Sequence, residues 1–193
     1  SVDFMRHGYL FVTTNSATLD RSREAVALQR FLGVRSEVLA PAEVQRHLEP
    51  LIVADLVGGT FCGDDGSADP HGMLQGFLAR GRERGLHVLV GHRVIALLRD
   101  GERVVGARTA QGDFHAPVVI NCAGPYADQV GALAGVEIPS KPYRRQVLVT
   151  SPLPILPDVF PLIVDLDTGF YVHRQGKSAV LMGGTDKDIK PGL

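Results

Sequence analysis

The sequence of 193 residues is long enough for one or two hydrophobic cores, and its apolar fraction of 45% is that of a globular protein. Its 20 basic and 21 acidic residues give a formal net charge of −1, so no overall field favours nucleic acid or a membrane, and we expect neither as a partner. No apolar run reaches the roughly 18–20 residues that cross a bilayer. Two isolated cysteines favour a reducing, cytoplasmic compartment, and scattered histidines give no support for a metal site.

Residues 1–65 predict two strands and two helices. Residues 8–14 are rich in strand formers, and a helix is expected over 19–32. A shorter helix is expected to start at Pro41, because proline suits the first helical position. Paired glycines in the second predicted strand, 56–62, either weaken it or allow a ligand or neighbouring backbone to come close. We expect this part to be a substrate-domain or cap portion rather than a catalytic centre.

Residues 66–135 are predicted to combine helices with several short strands. Asp69 followed by Pro70 is typical of a helix start, and this interpretation is favoured over a carboxylate cluster for acid–base chemistry, because no second catalytic partner is visible. Strands are expected over 86–90 and 93–98. Turn signals then predict a small antiparallel meander inserted into an α/β arrangement.

A run of three β-branched residues at 118–120 predicts a buried strand, followed by a turn of small residues at 121–124. Apolar residues at helical spacing then predict a helix over 126–134. A strand, a small-residue turn and a helix start form a site where backbone N–H groups and the helix dipole favour an anionic group. A plain strand-to-helix connection is the alternative interpretation.

Residues 136–193 are predicted to form an antiparallel sheet. Four prolines exclude a central strand over 151–161 and predict an extended loop. Strands are expected on either side of it, and the last three form a meander, over 162–165, 170–174 and 178–182. The whole chain therefore predicts a mixed α/β (α+β) fold.

Six segments, in this order along nearly the whole chain, resemble the FAD-dependent oxidoreductase family of D-amino acid oxidase and sarcosine oxidase, closest to the sarcosine oxidase beta-subunit type. They are Gly8–Phe11, Leu56–Pro70, Gly85–Val94, Val118–Tyr126, Arg144–Gln146 and Gly169–Tyr171. The resemblance implies that residues 66–135 are part of a Rossmann-type FAD domain. It also implies that this part is joined to an antiparallel-sheet substrate domain over 136–193.

The resemblance implies oxidation of the C–N bond of a small amino acid or N-methyl amino acid, such as sarcosine, glycine or proline, by hydride transfer to FAD. Its partners would be a small-molecule amino-acid or amine substrate and possible hetero-subunits of the intact enzyme. The GxGxxG fingerprint of this family does not occur in the sequence. We therefore expect an internal fragment that binds FAD weakly or not at all and is inactive alone. A non-catalytic binding or assembly module that docks a partner subunit is the alternative.

For the cofactor, the resemblance points to five residues. Val94 would lie near the adenine of FAD, and Cys122, Ala123 and Gly124 would lie along its pyrophosphate and flavin. Tyr126 occupies a position where an aromatic residue is usual in the family. Such a ligand needs close backbone and hydrogen-bond donors more than charged side chains.

For the substrate, the resemblance places Tyr171 over the flavin face as a catalytic and substrate-binding residue, with an ordinary core tyrosine as the alternative. Arg174, together with Arg145 or its neighbour Arg144, is a candidate for a carboxylate clamp, because guanidinium binds carboxylate through a bidentate fork. A surface role is favoured for at least two of these three arginines. Monomeric sarcosine oxidases supply a Lys and a His where this sequence has Leu181 and Thr185. This difference leaves a dehydrogenase open.

Overall fold

A computed structural model describes most of the chain, over residues 4–176, 178–185 and 188–192. Two compact units make up the chain, the first from residues 1–81 and 145–187 and the second from residues 82–144 and 188–193. The mixed α/β fold is confirmed. The assignment of individual segments to an FAD domain and a substrate domain stays a prediction.

The strands, in chain order, are β1 (Met5–Arg6), β2 (Tyr9–Thr13), β3 (Ser36–Leu39), β4 (Gly58–Cys62), β5 (Gly66–Ser67), β6 (Val94–Asp100), β7 (Arg103–Thr109), β8 (Gly112–His115), β9 (Val147–Val149), β10 (Leu162–Asp165), β11 (Tyr171–Gln175) and β12 (Ala179–Gly183). The helices are α1 (Ser16–Phe31), α2 (Pro41–His47), α3 (Pro70–Arg82) and α4 (Ala127–Ala132). A 3-10 turn, Gly124–Tyr126, precedes α4. None of the helices in the described ranges is long and apolar enough to cross a membrane.

A seven-stranded sheet in the order β3-β4-β2-β10-β11-β12-β9 forms the centre of the first unit. The predicted meander of β10, β11 and β12 is confirmed, with antiparallel pairing throughout. The sequence did not predict that β10 also pairs in parallel with β2, where Ile163 lies opposite Leu10. This pairing makes β2 a central strand of the sheet.

The hydrophobic core of the first unit lies on one face of this sheet. Leu10, Ile163 and Val180 are almost completely buried there, and Val44 of α2 packs against them. Phe160, at the end of the proline-containing loop, is also buried in this cluster. The opposite face meets α1 at its β3–β4 end.

Local capping interactions explain where the helices start and stop. The Asn15 side chain accepts a hydrogen bond from Thr18 N at 3.1 Å, so α1 starts three residues earlier than predicted. Gly33 follows α1 with a φ of 89°, in the left-handed region that glycine favours. Asp69 accepts from His71 N at 3.0 Å and thereby confirms the predicted cap of α3.

The second unit contains the predicted antiparallel meander, as the sheet β6-β7-β8. The strands predicted over 86–90 and 118–120 are wrong, since neither segment forms a strand. Val118 and Ile120 are 69% and 78% exposed, and Val90 is 88% exposed. A strand needs a neighbour to hydrogen-bond its backbone, and none of the described strands pairs with either run.

Candidate functional site

Aromatic side chains occupy the face of the seven-stranded sheet that is opposite the core. Phe11 of β2 pairs with Val164 of β10, and Val164 pairs with Tyr171 of β11, so Phe11 and Tyr171 point to the same side. Tyr9 also lies on this side, and its ring stacks on that of Phe11 with centroids 4.9 Å apart. We call the surface formed by Tyr9, Phe11 and Tyr171 the aromatic face. All three rings are half-buried.

The orientation of Tyr171 is determined by a glycine on the next strand. Tyr171 lies opposite Gly183 of β12, and a Cβ atom at Gly183 would overlap the phenol ring and its hydroxyl. The ring therefore occupies the space of the missing side chain. Tyr171 is half-buried on this face and lies outside the buried core cluster.

Tyr9 is a functional candidate that the sequence analysis missed. Burial of its phenol raises the pKa of Tyr9 above the ordinary value of 10.0, and the nearby Asp65 carboxylate and Tyr171 raise it further. The Tyr9 hydroxyl therefore stays protonated at neutral pH and can donate a hydrogen bond. Only the pairing of β2 with β10 brings Tyr9 onto the face of Tyr171, so sequence spacing gave no signal for it.

Arg174 does not share the aromatic face, and its placement argues against the expected substrate clamp. Residues alternate along a strand, so Arg174 points to the core side, where its side chain is 5% exposed. Its guanidinium donates to Leu156 O at 3.0 Å and Ser178 O at 2.9 Å. Carbonyl groups of the loop before β10 and of the turn before β12 therefore occupy donors that a carboxylate would need.

Arg145 lies at the edge of the sheet that is formed by β9. It is exposed and precedes Val147, which pairs with Gly183. Among the described strands, no lysine or arginine lies on the aromatic face. A carboxylate on this face therefore needs a cation from outside the strands, and the clamp role of Arg145 stays a prediction.

In the second unit, three of the predicted cofactor residues line a single cavity of about 720 Å³. Val94 at the start of β6, Ala123 before the 3-10 turn, and Tyr126 contribute to its wall. Cys122 lines a second cavity of about 410 Å³, which Val94 and Ala123 also line. Gly124 lines neither of these cavities and has a φ of 54°.

The helix α4 completes the first of these cavities. The sequence analysis predicted the helix but did not assign its residues to a cofactor site. Val130 of α4 and Leu133, the residue that caps the end of α4, line it together with Tyr126. Their helical spacing was the signal that could have found them. The predicted helix is confirmed but shorter, since α4 is only six residues long. A macrodipole this short adds little to the predicted attraction for an anion.

The Asn121 side chain forms two hydrogen bonds across the turn that precedes α4. Asn121 Nδ2 donates to Ala127 O at 2.9 Å, and Asn121 Oδ1 accepts from Ala123 N at 3.1 Å. The cavity beside this turn has mainly apolar walls, which fit the ring systems of FAD. A diphosphate needs a glycine-rich loop at a helix start, and the sequence contains none. The residues present therefore fit part of FAD.

An aromatic sheet face in one unit and a ring-sized apolar cavity in the other are features of a cofactor-dependent oxidoreductase. The family model described as "DAO: FAD dependent oxidoreductase" matches residues 1–192. The chain therefore belongs to the DAO family of FAD-dependent oxidoreductases, as the sequence resemblance predicted.

Individual relatives agree with this membership. The chain is 32% identical over 186 residues to mitochondrial sarcosine dehydrogenase from Homo sapiens, covering 94% of this chain and 20% of the relative. It is 26% identical to sarcosine oxidase subunit beta from Arthrobacter sp, covering 93% of this chain and 45% of the relative. The chain thus spans less than half the length of these relatives.

Solved structures share the fold. L-Proline dehydrogenase from P. horikoshii superposes with a TM-score of 0.86 at 22% identity, covering 99% of this chain and 53% of that one. Glycine oxidase from Geobacillus kaustophilus gives a TM-score of 0.79 at 18% identity, covering 100% of this chain and 50% of that one. At these identities the likeness shows the fold alone.

Proposed function

We propose that the chain is part of an FAD-dependent oxidoreductase that oxidises the C–N bond of a small amino acid or N-methyl amino acid. The observation that carries this proposal is the family match over residues 1–192. Relatives named sarcosine dehydrogenase and dimethylglycine dehydrogenase support a sarcosine-like substrate, with glycine- and proline-like molecules as the neighbouring possibilities. When bound, FAD would accept the hydride from the carbon beside the substrate nitrogen.

The aromatic face is the proposed substrate surface. The Tyr171 hydroxyl, held in place over Gly183, would hydrogen-bond the substrate. Arg145 would supply the cation for the substrate carboxylate, because the strands of the face supply none. Since Arg174 is engaged by backbone carbonyls, we assign it to the loop and not to the substrate.

The second unit would hold part of the cofactor. Val94, Ala123 and Tyr126 would contact its ring systems in the cavity that they share, and Cys122 lies in the adjoining cavity. Gly124 is the first residue of the 3-10 turn and has no side chain. The cavity would exclude water from an apolar ring, whereas the diphosphate would need residues outside this sequence.

We further propose that the intact enzyme is a dehydrogenase, with an electron acceptor other than oxygen. Leu181 lies on the aromatic face opposite His173, at a position where the sequence resemblance leads one to expect a lysine in the monomeric oxidases. Two kinds of relative, sarcosine dehydrogenase and dimethylglycine dehydrogenase, are dehydrogenases by name. An aliphatic side chain cannot place a positive charge beside a reduced cofactor.

The proposal extends to the partners and the compartment of the intact enzyme. Relatives named sarcosine oxidase subunit beta and hydrogen cyanide synthase subunit HcnC are subunits by name, so we propose hetero-subunits for the intact enzyme. Both cysteines of the chain, Cys62 and Cys122, are free thiols. Free thiols agree with the reducing cytoplasm that we propose as the compartment.

Anaerobic spectroscopy of the purified full-length protein tests the enzymatic proposal. We expect a yellow protein whose flavin absorbance bleaches when sarcosine, glycine or proline is added, and whose reduced form reacts faster with an artificial acceptor than with oxygen. A colourless protein that gains no flavin spectrum with added FAD would contradict the proposal.

A non-catalytic assembly module is the second candidate, and one relative favours it. The chain is 29% identical over 196 residues to the mitochondrial pyruvate dehydrogenase phosphatase regulatory subunit from Mus musculus, a protein named for regulation. This candidate predicts a full-length protein that co-purifies with a catalytic subunit and whose absorbance no amine changes. The bleaching experiment separates the two candidates.

A further inference from the structure

His173 of β11 lies on the aromatic face. It is two residues along the strand from Tyr171, so the two side chains point to the same side of the sheet. The His173 ring is half-buried and stands opposite Leu181 of β12. The surface proposed for the substrate therefore carries an imidazole, and the proposed roles of Tyr171 and Arg145 do not account for it.

One hydrogen bond determines which nitrogen of the His173 ring carries the proton. His173 Nδ1 lies 2.8 Å from Arg174 O. A carbonyl oxygen only accepts, so Nδ1 is the donor, and the neutral ring has its proton there. Nε2 then has a free lone pair, and within the described ranges it has no hydrogen-bond partner. It is also not one of the buried unpaired nitrogens of these ranges, so a ligand can reach it.

The proposed oxidation needs a base at the substrate nitrogen. An aliphatic amine is protonated at neutral pH and then has no lone pair on its nitrogen. The second bond between carbon and nitrogen cannot form until that proton leaves, because the nitrogen lone pair becomes this bond as the hydride departs. The phenol of Tyr9 is not a suitable base, since burial raises its pKa and keeps it protonated.

We propose that His173 Nε2 is the catalytic base that takes the proton from the substrate ammonium group. This role rests on the proposed oxidation of an amine. One N–H bond of the substrate breaks, its electron pair stays on the nitrogen, and the proton forms the N–H bond of Nε2. In the hydride transfer that follows, the hydrogen and both electrons of the C–H bond go to FAD. The half-exposed imidazolium then gives its proton to water, so His173 is neutral again before the next turnover.

The groups around His173 allow its titration to be separated from theirs. Tyr171 on the same strand and Tyr9 on β2 are the titratable groups that share this face, and Asp65 lies near Tyr9. On the flanking strands, Leu162 of β10 and Leu181 of β12 do not titrate. Every variant of His173 retains the two tyrosines and Asp65. The ratio of the wild-type rate to the variant rate therefore isolates the contribution of His173.

His173→Asn tests the role of the base. Its amide N–H can replace Nδ1–H as the donor to Arg174 O, but an amide has no basic nitrogen. With the full-length, flavin-containing protein and sarcosine in the absence of oxygen, we expect flavin reduction to be about 100-fold slower than in the wild type at pH 7. This deficit should shrink to about threefold or less near pH 10, where much of the amine is already neutral. A residue that only shapes the fold would give a deficit that does not change with pH.

His115→Asn is the matched control. His115 is exposed on β8 in the second unit, so its replacement should leave the reduction rate unchanged at every pH. His173→Ala removes the whole ring, and added imidazole should restore part of its rate in a saturable manner, because the free base can replace the missing one. Imidazole should not accelerate the wild type.

A measurement without turnover tests the tautomer. In ¹⁵N NMR of histidine-labelled full-length protein, the signals absent from His173→Asn identify the His173 ring. We expect the neutral ring to carry its proton on Nδ1. A proton on Nε2 in the neutral ring would overturn the proposal, because Nε2 would then have no lone pair to offer.

The kinetic outcomes separate this proposal from the enzymatic one. A wild-type protein that is reduced by sarcosine, with a His173→Asn deficit that is absent or independent of pH, would overturn the role of His173 alone. A wild-type protein that is reduced by none of sarcosine, glycine and proline would end the proposed oxidation, and the role of His173 with it.

Discussion

The phenol ring of Tyr171 fills the place of the side chain that Gly183 lacks on the neighbouring strand. Tyr171 and Gly183 are direct cross-strand partners, and their row continues to Val147 on the edge strand β9. The hydroxyl of Tyr171 is therefore positioned by a residue that has no side chain. A methyl group at Gly183 would therefore displace the Tyr171 ring.

We predict that Gly183→Ala destabilises the first unit by about 1–3 kcal/mol, because the added Cβ overlaps the Tyr171 ring. It should also slow flavin reduction by substrate if Tyr171 has the proposed role. Urea unfolding and anaerobic reduction rates measure the two effects. Gly184→Ala is the control, since its Cβ would meet Phe170 Cα at an ordinary 4.0 Å. Equal behaviour of the two variants would contradict the positioning of Tyr171 by Gly183.

Arg174 and Arg145 should respond differently to replacement by lysine. Arg174→Lys loses the forked donors that reach Leu156 O and Ser178 O, so we expect about 2–3 kcal/mol of destabilisation in urea unfolding. Arg145→Lys is at an exposed position and should change stability by less than about 0.5 kcal/mol. It should instead raise the KM for an amino-acid substrate, because a bidentate contact to the carboxylate is lost. A raised KM with unchanged stability for Arg174→Lys would restore the clamp that the sequence suggested.

The cavity of the second unit gives a prediction about flavin retention. Ala123→Leu places a larger side chain on the cavity wall, and we expect the purified full-length protein to retain at least about tenfold less FAD. Ala132→Leu changes an exposed position of α4 outside this cavity and serves as the control. The ratio of flavin to protein absorbance measures retention. Full retention in the Ala123→Leu variant would show that FAD does not use this wall.

We expect the antiparallel meander of the second unit to be less stable in acid than at neutral pH. Hydrogen bonding from Arg108, at 2.7 and 2.8 Å, holds the pKa of Asp113 below its ordinary value of 3.8. Since the folded protein binds this proton less readily than the unfolded chain, the pair stabilises the fold above pH 3.8. That contribution is lost as the pH falls through the lowered pKa. Hydrogen exchange of the β7–β8 amides should therefore differ between the wild type and Asp113→Asn at pH 7, and the difference should shrink toward pH 3.

Elements whose signals are local could be predicted closely from the sequence. The Asp69 side chain caps α3 by accepting from His71 N and Gly72 N, and the turns between β10, β11 and β12 are short. The family was also recognisable, because its segments follow one another in order along the chain. The predictions of the helix cap and of the hairpins succeeded because the interacting atoms lie close together in sequence.

The tertiary structure decided the features that depend on a distant partner. β2 becomes central only through its parallel pairing with β10, and this pairing brings Tyr9 onto the face of Tyr171. Strand alternation then sends Arg174 to the opposite side, where it binds loop carbonyls. By itself, the sequence determined the capped helices, the hairpins and the family. The side of the sheet on which each side chain lies was decided only by strand pairing, because a strand has two equivalent faces until its neighbours are known.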